Sequence, residues 1–151
     1  MKYLFFGGAP NTGKSESILK LAKKMRDEFD YKEIYKVIPE RGDFQCILEK
    51  ANIKVLIQSD TDTPGCIKKL KKFYSENTDI YLIITSIRDI VDPMRNLLKK
   101  EMNISNEDYT FEIPLGRVTR RWNKRVNCIS WYLDSVQKLA IEVVESKPLS
   151  I

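Results

Sequence analysis

Lys14 lies in the stretch Gly8-Ala9-Pro10-Asn11-Thr12-Gly13-Lys14-Ser15, which satisfies the pattern G-x-x-x-x-G-K-[ST] without a mismatch. Three of the chain's six glycines, Gly7, Gly8 and Gly13, surround this one lysine. Glycines at this spacing let successive amides turn toward a common point, because they reach backbone angles closed to other residues and carry no side chain. A helix that starts directly after the loop adds the free amides of its first turn, here through Glu16, and the positive end of its dipole. The chemistry that such a cradle serves is capture of a polyphosphate. Lys14 would neutralise the β and γ phosphates, and the Ser15 hydroxyl would ligate the Mg²⁺ that travels with them.

The flanking sequence supplies the elements the motif needs. "KYLFF" before it reads as a strand, and Ile18, Leu19, Ala22, Met25 and Phe29 after it recur at helical spacing. On these residues the chain resembles the P-loop NTPase superfamily. The resemblance implies a three-layer α/β fold of about five mostly parallel strands with flanking helices, and a nucleoside triphosphate, ATP before GTP, bound with Mg²⁺.

Composition sets the outer bounds. A length of 151 residues is ordinary for a single domain, taken here as 1–151, and 42% apolar with 31% charged residues is ordinary for a globular chain. No apolar run approaches the roughly 20 residues that span a bilayer, and the N-terminus lacks signal-peptide character. The expectation is a cytoplasmic protein with no membrane contact. Cys46, Cys66 and Cys128 are odd in number and scattered, without a CxxC pair, so neither a disulfide framework nor a zinc ribbon is expected. Histidine is absent. That excludes Ser/His and Cys/His couples, H-E-x-x-H zinc sites and histidine general bases. Carboxylates, lysines, arginines and hydroxyls remain, and they suffice for phosphoryl transfer, where positioning and charge stabilisation around Mg²⁺ dominate.

Apolar runs and helical patterns alternate along the rest of the chain, as in a parallel sheet with crossover helices. Strands are expected at 31–38, 54–60, 79–86 and 108–115, with a short helical piece between Gln45 and Lys50. Pro64 suits the first turn of a helix carrying Ile67, Leu70 and Phe73; Asp92 and Pro93 read as cap and first residue of another carrying Leu97, Leu98 and Met102. Trp122, Val126, Ile129, Leu133, Val136, Ala140 and Val143 form one seam, which predicts a final helix of about 22 residues. That seam serves either packing on the sheet or a homodimer contact.

Asp60 and Asp62, in "VLIQSDTDTPG", stand at the C-terminal end of a strand, the edge where open α/β sheets bind ligands. Asp60 is the first choice for the metal and Asp62 the second; the plainer role for either is a turn or cap. "GAPNTGKS" and "DTPG" together also resemble two sequence boxes of GTP-binding switch proteins. However, no threonine lies between Thr12 and Thr61, and "TSIRD" is a poor match to the guanine-reading N-K-x-D. The resemblance to small P-loop kinases assigns acceptor contacts to Arg41 and Asp43, with Asp43 as base, and charge stabilisation at the γ-phosphate to Arg88. It also brings Leu115 and Gly116 near the nucleobase. The short inter-strand stretches leave no room for separate acceptor-binding and lid domains, so either the acceptor is small and held by short loops, or water or a partner takes that role.

Arg117, Arg120, Arg121, Lys124 and Arg125 fall within nine residues beside Trp122. Cations at a helix start oppose the dipole, so an anion there, whether nucleotide phosphate, acidic substrate or nucleic acid, competes with the simpler reading of a solvated basic face. The leading expectation is a kinase-like P-loop enzyme. The alternative is a nucleotide-dependent switch, GTPase-like or non-catalytic, that docks on a partner protein or nucleic acid through 117–125.

Overall fold

A computed structural model describes residues 1–37, 43–116, 118–119, 125–126 and 130–150. The chain runs through β1 (Lys2–Gly7), α1 (Lys14–Glu28), β2 (Lys32–Val37), β3 (Gln45–Lys50), β4 (Ile53–Gln58), α2 (Pro64–Glu76), β5 (Ile80–Ile87), α3 (Pro93–Glu101), β6 (Tyr109–Pro114), β7 (Val118–Thr119), β8 (Arg125–Val126) and α4 (Ser130–Glu145). Six strands form one mixed sheet in the order β2-β3-β4-β5-β1-β6. β1 is parallel to β5 and β6, and β4 is parallel to β5, whereas β3 runs antiparallel to both β2 and β4.

Alternation along β1 shows how the layers arise. Leu4 and Phe6 point to one face, where they join Ile18, Leu21 and Met25 of α1 and Val136, Ala140 and Val144 of α4. Tyr3 and Phe5 point to the other, with Ile67, Leu70 and Phe73 of α2 and Leu98 of α3. Both faces of the central strands are therefore covered by helices, as parallel strands require. Among the described residues no helix is long and apolar enough to cross a membrane.

Two expectations fail. The sheet is not mostly parallel through its β2–β4 end, because the segment from Gln45 to Lys50 is a strand and not a short helix. Its signal was a hairpin: Ala51 and Asn52 both hold positive φ, at 51° and 64°, and reverse the chain directly from β3 into β4. Two consecutive left-handed residues are the turn that two-residue hairpins need, and without glycine it leaves little trace in sequence. Cys46, Ile47 and Leu48, each 1% exposed, then fill the core from the strand.

The final helix also starts later than its seam predicts. α4 begins at Ser130, while Arg125–Val126 pairs antiparallel with Val118–Thr119 in a small ribbon. Backbone pairing takes residues that helical spacing alone assigned to the helix. The remaining stripe of α4 packs on α1, and Gln137 Nε2 donates to the Ser17 carbonyl at 3.0 Å.

Candidate functional site

The loop between β1 and α1 owes its shape to three left-handed positions: Gly8 at φ 149°, Asn11 at 60° and Gly13 at 86°. A Cβ on Gly8 would stand 2.9 Å from the Leu115 carbonyl oxygen and 3.0 Å from Thr12 Oγ1, so this position accepts only glycine. Gly13 differs: it is the N-cap of α1, offers no side-chain cap, and has open space where a Cβ would point. The first bond of the helix runs from the Ser17 amide to the Gly13 carbonyl at 2.9 Å, which leaves the amides of Lys14, Ser15 and Glu16 ahead of the ladder. The Glu16 side chain turns away to an exposed pair with Lys20 at 2.9 Å, so only its backbone belongs to the loop. Ala9 is half-buried, and Pro10 and Asn11 are exposed at the tip, while the Thr12 hydroxyl closes the turn on the Ala9 carbonyl at 2.9 Å.

Lys14 folds back over this loop. Its Nζ donates to the carbonyls of Gly8 at 3.0 Å and Ala9 at 2.9 Å, and its side chain is 5% exposed. Asp62 Oδ1 lies 3.9 Å from the same nitrogen and 2.7 Å from Arg88 Nε. The Arg88 contact is an ion pair and not an aligned hydrogen bond, since neither atom has a hydrogen-bond partner among the described residues; Arg88 Nη1 is likewise buried without one there. Burial pulls the Lys14 pKa down, with Arg88 adding to this and Asp62 opposing it. Burial pushes the Asp62 carboxyl up, against the lowering effect of Lys14 and Arg88.

The strand carrying the acidic residues is not the neighbour of β1; β5 lies between them. Even so, the Ser15 hydroxyl reaches the Ser59 carbonyl just beyond β4 at 3.2 Å. Asp60 has a different task from Asp62. Its Oδ1 accepts the Asp62 amide at 2.7 Å and its Oδ2 accepts the Cys66 thiol at 2.9 Å, so its carboxylate ties the turn to the start of α2. Thr61 locks the same turn to the end of β5, its amide donating to Ser86 Oγ at 3.1 Å and its hydroxyl to the Ser86 carbonyl at 2.6 Å.

Asp43 sits beside Ser59, whose hydroxyl donates to Asp43 Oδ1 at 3.5 Å. Burial and the nearby Asp60 charge raise its pKa above the ordinary carboxylate value. A raised folded-state pKa means that ionised Asp43 weakens folding: the penalty is absent below the ordinary value of 3.8 and sets in as pH rises through it. Asp43→Asn is therefore expected to raise the unfolding temperature at pH 7 and to match the parent near pH 3, as calorimetry across pH would check.

Two residues escaped sequence reasoning. Arg95 of α3 pairs through both terminal nitrogens with the Glu112 carboxylate of β6, and its Nη1 also donates to the Arg88 carbonyl at 2.9 Å. Arg95 thus fixes the backbone from which Arg88 projects. Nothing in the local pattern marks positions 88, 95 and 112 as partners. Beside the loop, Gly7, Gly8, Ile90, Val91, Glu112 and Leu115 line a groove of about 470 Å³. Ile90 and Val91 are 80% and 92% exposed, apolar side chains held out at its rim. The Leu115 amide donates to the Gly7 carbonyl at 2.7 Å, which sets Leu115 next to the loop, while the Gly116 amide donates to the Tyr132 hydroxyl of α4 at 3.1 Å.

The structure therefore brings together Lys14, Asp62 and Arg88, places Ser15 against the end of β4, and sets Asp43 and Asp60 side by side. Among the described residues no group of three or more His, Cys, Asp or Glu could hold a metal ion unaided. Arg41, Arg117, Arg120, Arg121, Trp122 and Lys124, and the side chain of Arg125, lie outside the described residues. No family model, curated protein or solved structure matches the chain.

Proposed function

We propose that the chain binds a nucleoside triphosphate, ATP in the first instance, together with Mg²⁺, and transfers the γ-phosphoryl group to a small acceptor or to water. The observation that carries this reading is Lys14 Nζ held across the loop by the Gly8 and Ala9 carbonyls, beside the uncapped first turn of α1. An ammonium beside amides that stand ahead of the helix ladder suits a polyanion, and a helix N-terminus strengthens the attraction.

Mg²⁺ keeps most of its water and takes one or two protein oxygens plus phosphate, so the donor set of Ser15 with Asp62 or Asp60 fits it without a preformed acidic cage. When bound, the ion would offset charge on the phosphate oxygens. The chain's own residues do the remainder. Lys14 neutralises the β and γ phosphates, and Arg88 meets the charge that develops as the γ-phosphoryl group leaves. Asp43, its basicity raised by burial, accepts the proton of the attacking hydroxyl. The groove at Leu115 and Gly8 is apolar enough to take a base beside the loop.

The test is thermal unfolding with ATP, GTP and their diphosphates, with and without Mg²⁺. A ligand at 100 times its Kd adds about 2.7 kcal/mol, which for this size moves the midpoint by about 5–10 °C. ATP with Mg²⁺ is expected to give such a shift; no shift with any nucleotide would overturn the reading. Transfer of labelled γ-phosphate to a metabolite panel then separates a kinase from a hydrolase.

A further inference from the structure

We propose that Asp62 is a built-in stand-in for phosphate: in the nucleotide-free loop its carboxylate neutralises Lys14 and Arg88 together, and an arriving polyphosphate must displace it from both. This deepens the nucleotide reading above and rests on it.

The charge count carries the inference. Two cations converge on one carboxylate, with Lys14 5%, Arg88 13% and Asp62 31% exposed. A lysine ammonium has three N–H donors. Two of those on Lys14 are used by loop carbonyls, and Asp62 at 3.9 Å is too far to accept the third as a hydrogen bond. Arg88 Nη1 is buried with no acceptor among the described residues, so the site holds donors that an additional anionic oxygen would satisfy and Asp62 does not.

Asp62 is also free to yield. Its backbone is pinned, by the Asp60 carboxylate on its own amide at 2.7 Å and by the Thr61–Ser86 bonds just before it. Among the described residues its carboxylate is held by charge alone. Rotation of one side chain therefore opens both cations without unlocking the turn. Affinity for polyphosphate is then set by competition, and the carboxylate suppresses capture of any anion that cannot engage Lys14 and Arg88 at once.

Asp62→Asn keeps the shape and removes the charge. Titration calorimetry with inorganic tripolyphosphate and with ATP, both in EDTA so that no metal role of Asp62 enters, measures the competition directly. Asp62→Ser is run beside it, so that a folding defect in one variant does not decide the outcome, with unfolding of each nucleotide-free variant as control. Both neutral variants are expected to bind both probes about tenfold tighter than the parent, a size between the water and protein-surface limits for removing one like charge from beside a bound anion. Asp62→Glu should keep the parent's affinity or weaken it. Equal or weaker binding by folded neutral variants, with the parent binding normally, would overturn the inference alone. A parent that binds neither probe, and shows no ATP shift even with Mg²⁺, would overturn the nucleotide reading and this inference with it.

Discussion

Lys14→Met is expected to abolish the ATP-dependent rise in unfolding temperature while leaving the nucleotide-free protein as stable as the parent or more so. The two halves of this result have one cause. The ammonium is almost wholly buried, at 5% exposure, and burial lowers its pKa, so the empty loop bears a desolvation cost for keeping it charged. Methionine fills similar space without that cost, which offsets loss of the Nζ bonds to the Gly8 and Ala9 carbonyls, and Asp62 retains Arg88 as a partner. What is lost is a charge-assisted contact to phosphate, worth about 1.5–3 kcal/mol per hydrogen bond, so affinity should fall by about 100-fold. Titration calorimetry with ATP and Mg²⁺, alongside a melt of the free variant, checks both halves. Full affinity in the methionine variant would show that nucleotide, if bound, is held elsewhere.

Gly8→Ala should cost about 3 kcal/mol of stability and lower the midpoint by about 6–12 °C, whatever the ligand. The added methyl would meet the Leu115 carbonyl at 2.9 Å, and that backbone cannot recede because the Leu115 amide is bonded to the Gly7 carbonyl at 2.7 Å. The φ of 149° adds strain that any L-residue would bear. Gly13→Ala is the internal comparison. Its φ of 86° is also left-handed, but nothing lies within 4 Å of the added methyl, so only the conformational cost of about 1–2 kcal/mol applies. A melt in which the two alanine variants lose equal stability would contradict the packing described at Leu115.

Part of this protein could be read before any coordinates, wherever the determinants are local. Pro64 and Pro93 do stand in the first turns of α2 and α3, and Asp92 caps α3 by accepting the Met94 amide at 2.8 Å. Thr63 caps α2 in the same way, accepting the Cys66 amide at 3.2 Å. β1, β4 and β5 follow their apolar runs because burial on both faces leaves a continuous signal, whereas β6 is an edge strand with Tyr109 and Phe111 exposed and shows itself by its β-forming residues alone. β3 escaped because its turn lacks glycine, and the start of α4 was misplaced because a helical stripe and a short ribbon compete for the same residues.

The candidate site divides along the same line. The loop from Gly8 to Ser15 is one contiguous segment whose conformation follows from its own glycines and from the helix it opens, so its place and its turns were legible in the residues alone. The grouping of Lys14, Asp62 and Arg88 is a product of tertiary structure, as is the division of labour between Asp60, tied to α2, and Asp62, turned to the cations. Strand order decides both, by bringing the ends of β1, β5 and β4 to one edge of the sheet. Chain neighbours constrain φ and ψ, but only the packed sheet brings charges dozens of residues apart to within 3.9 Å, and it is at such short range that Coulomb energies become large enough to select a partner.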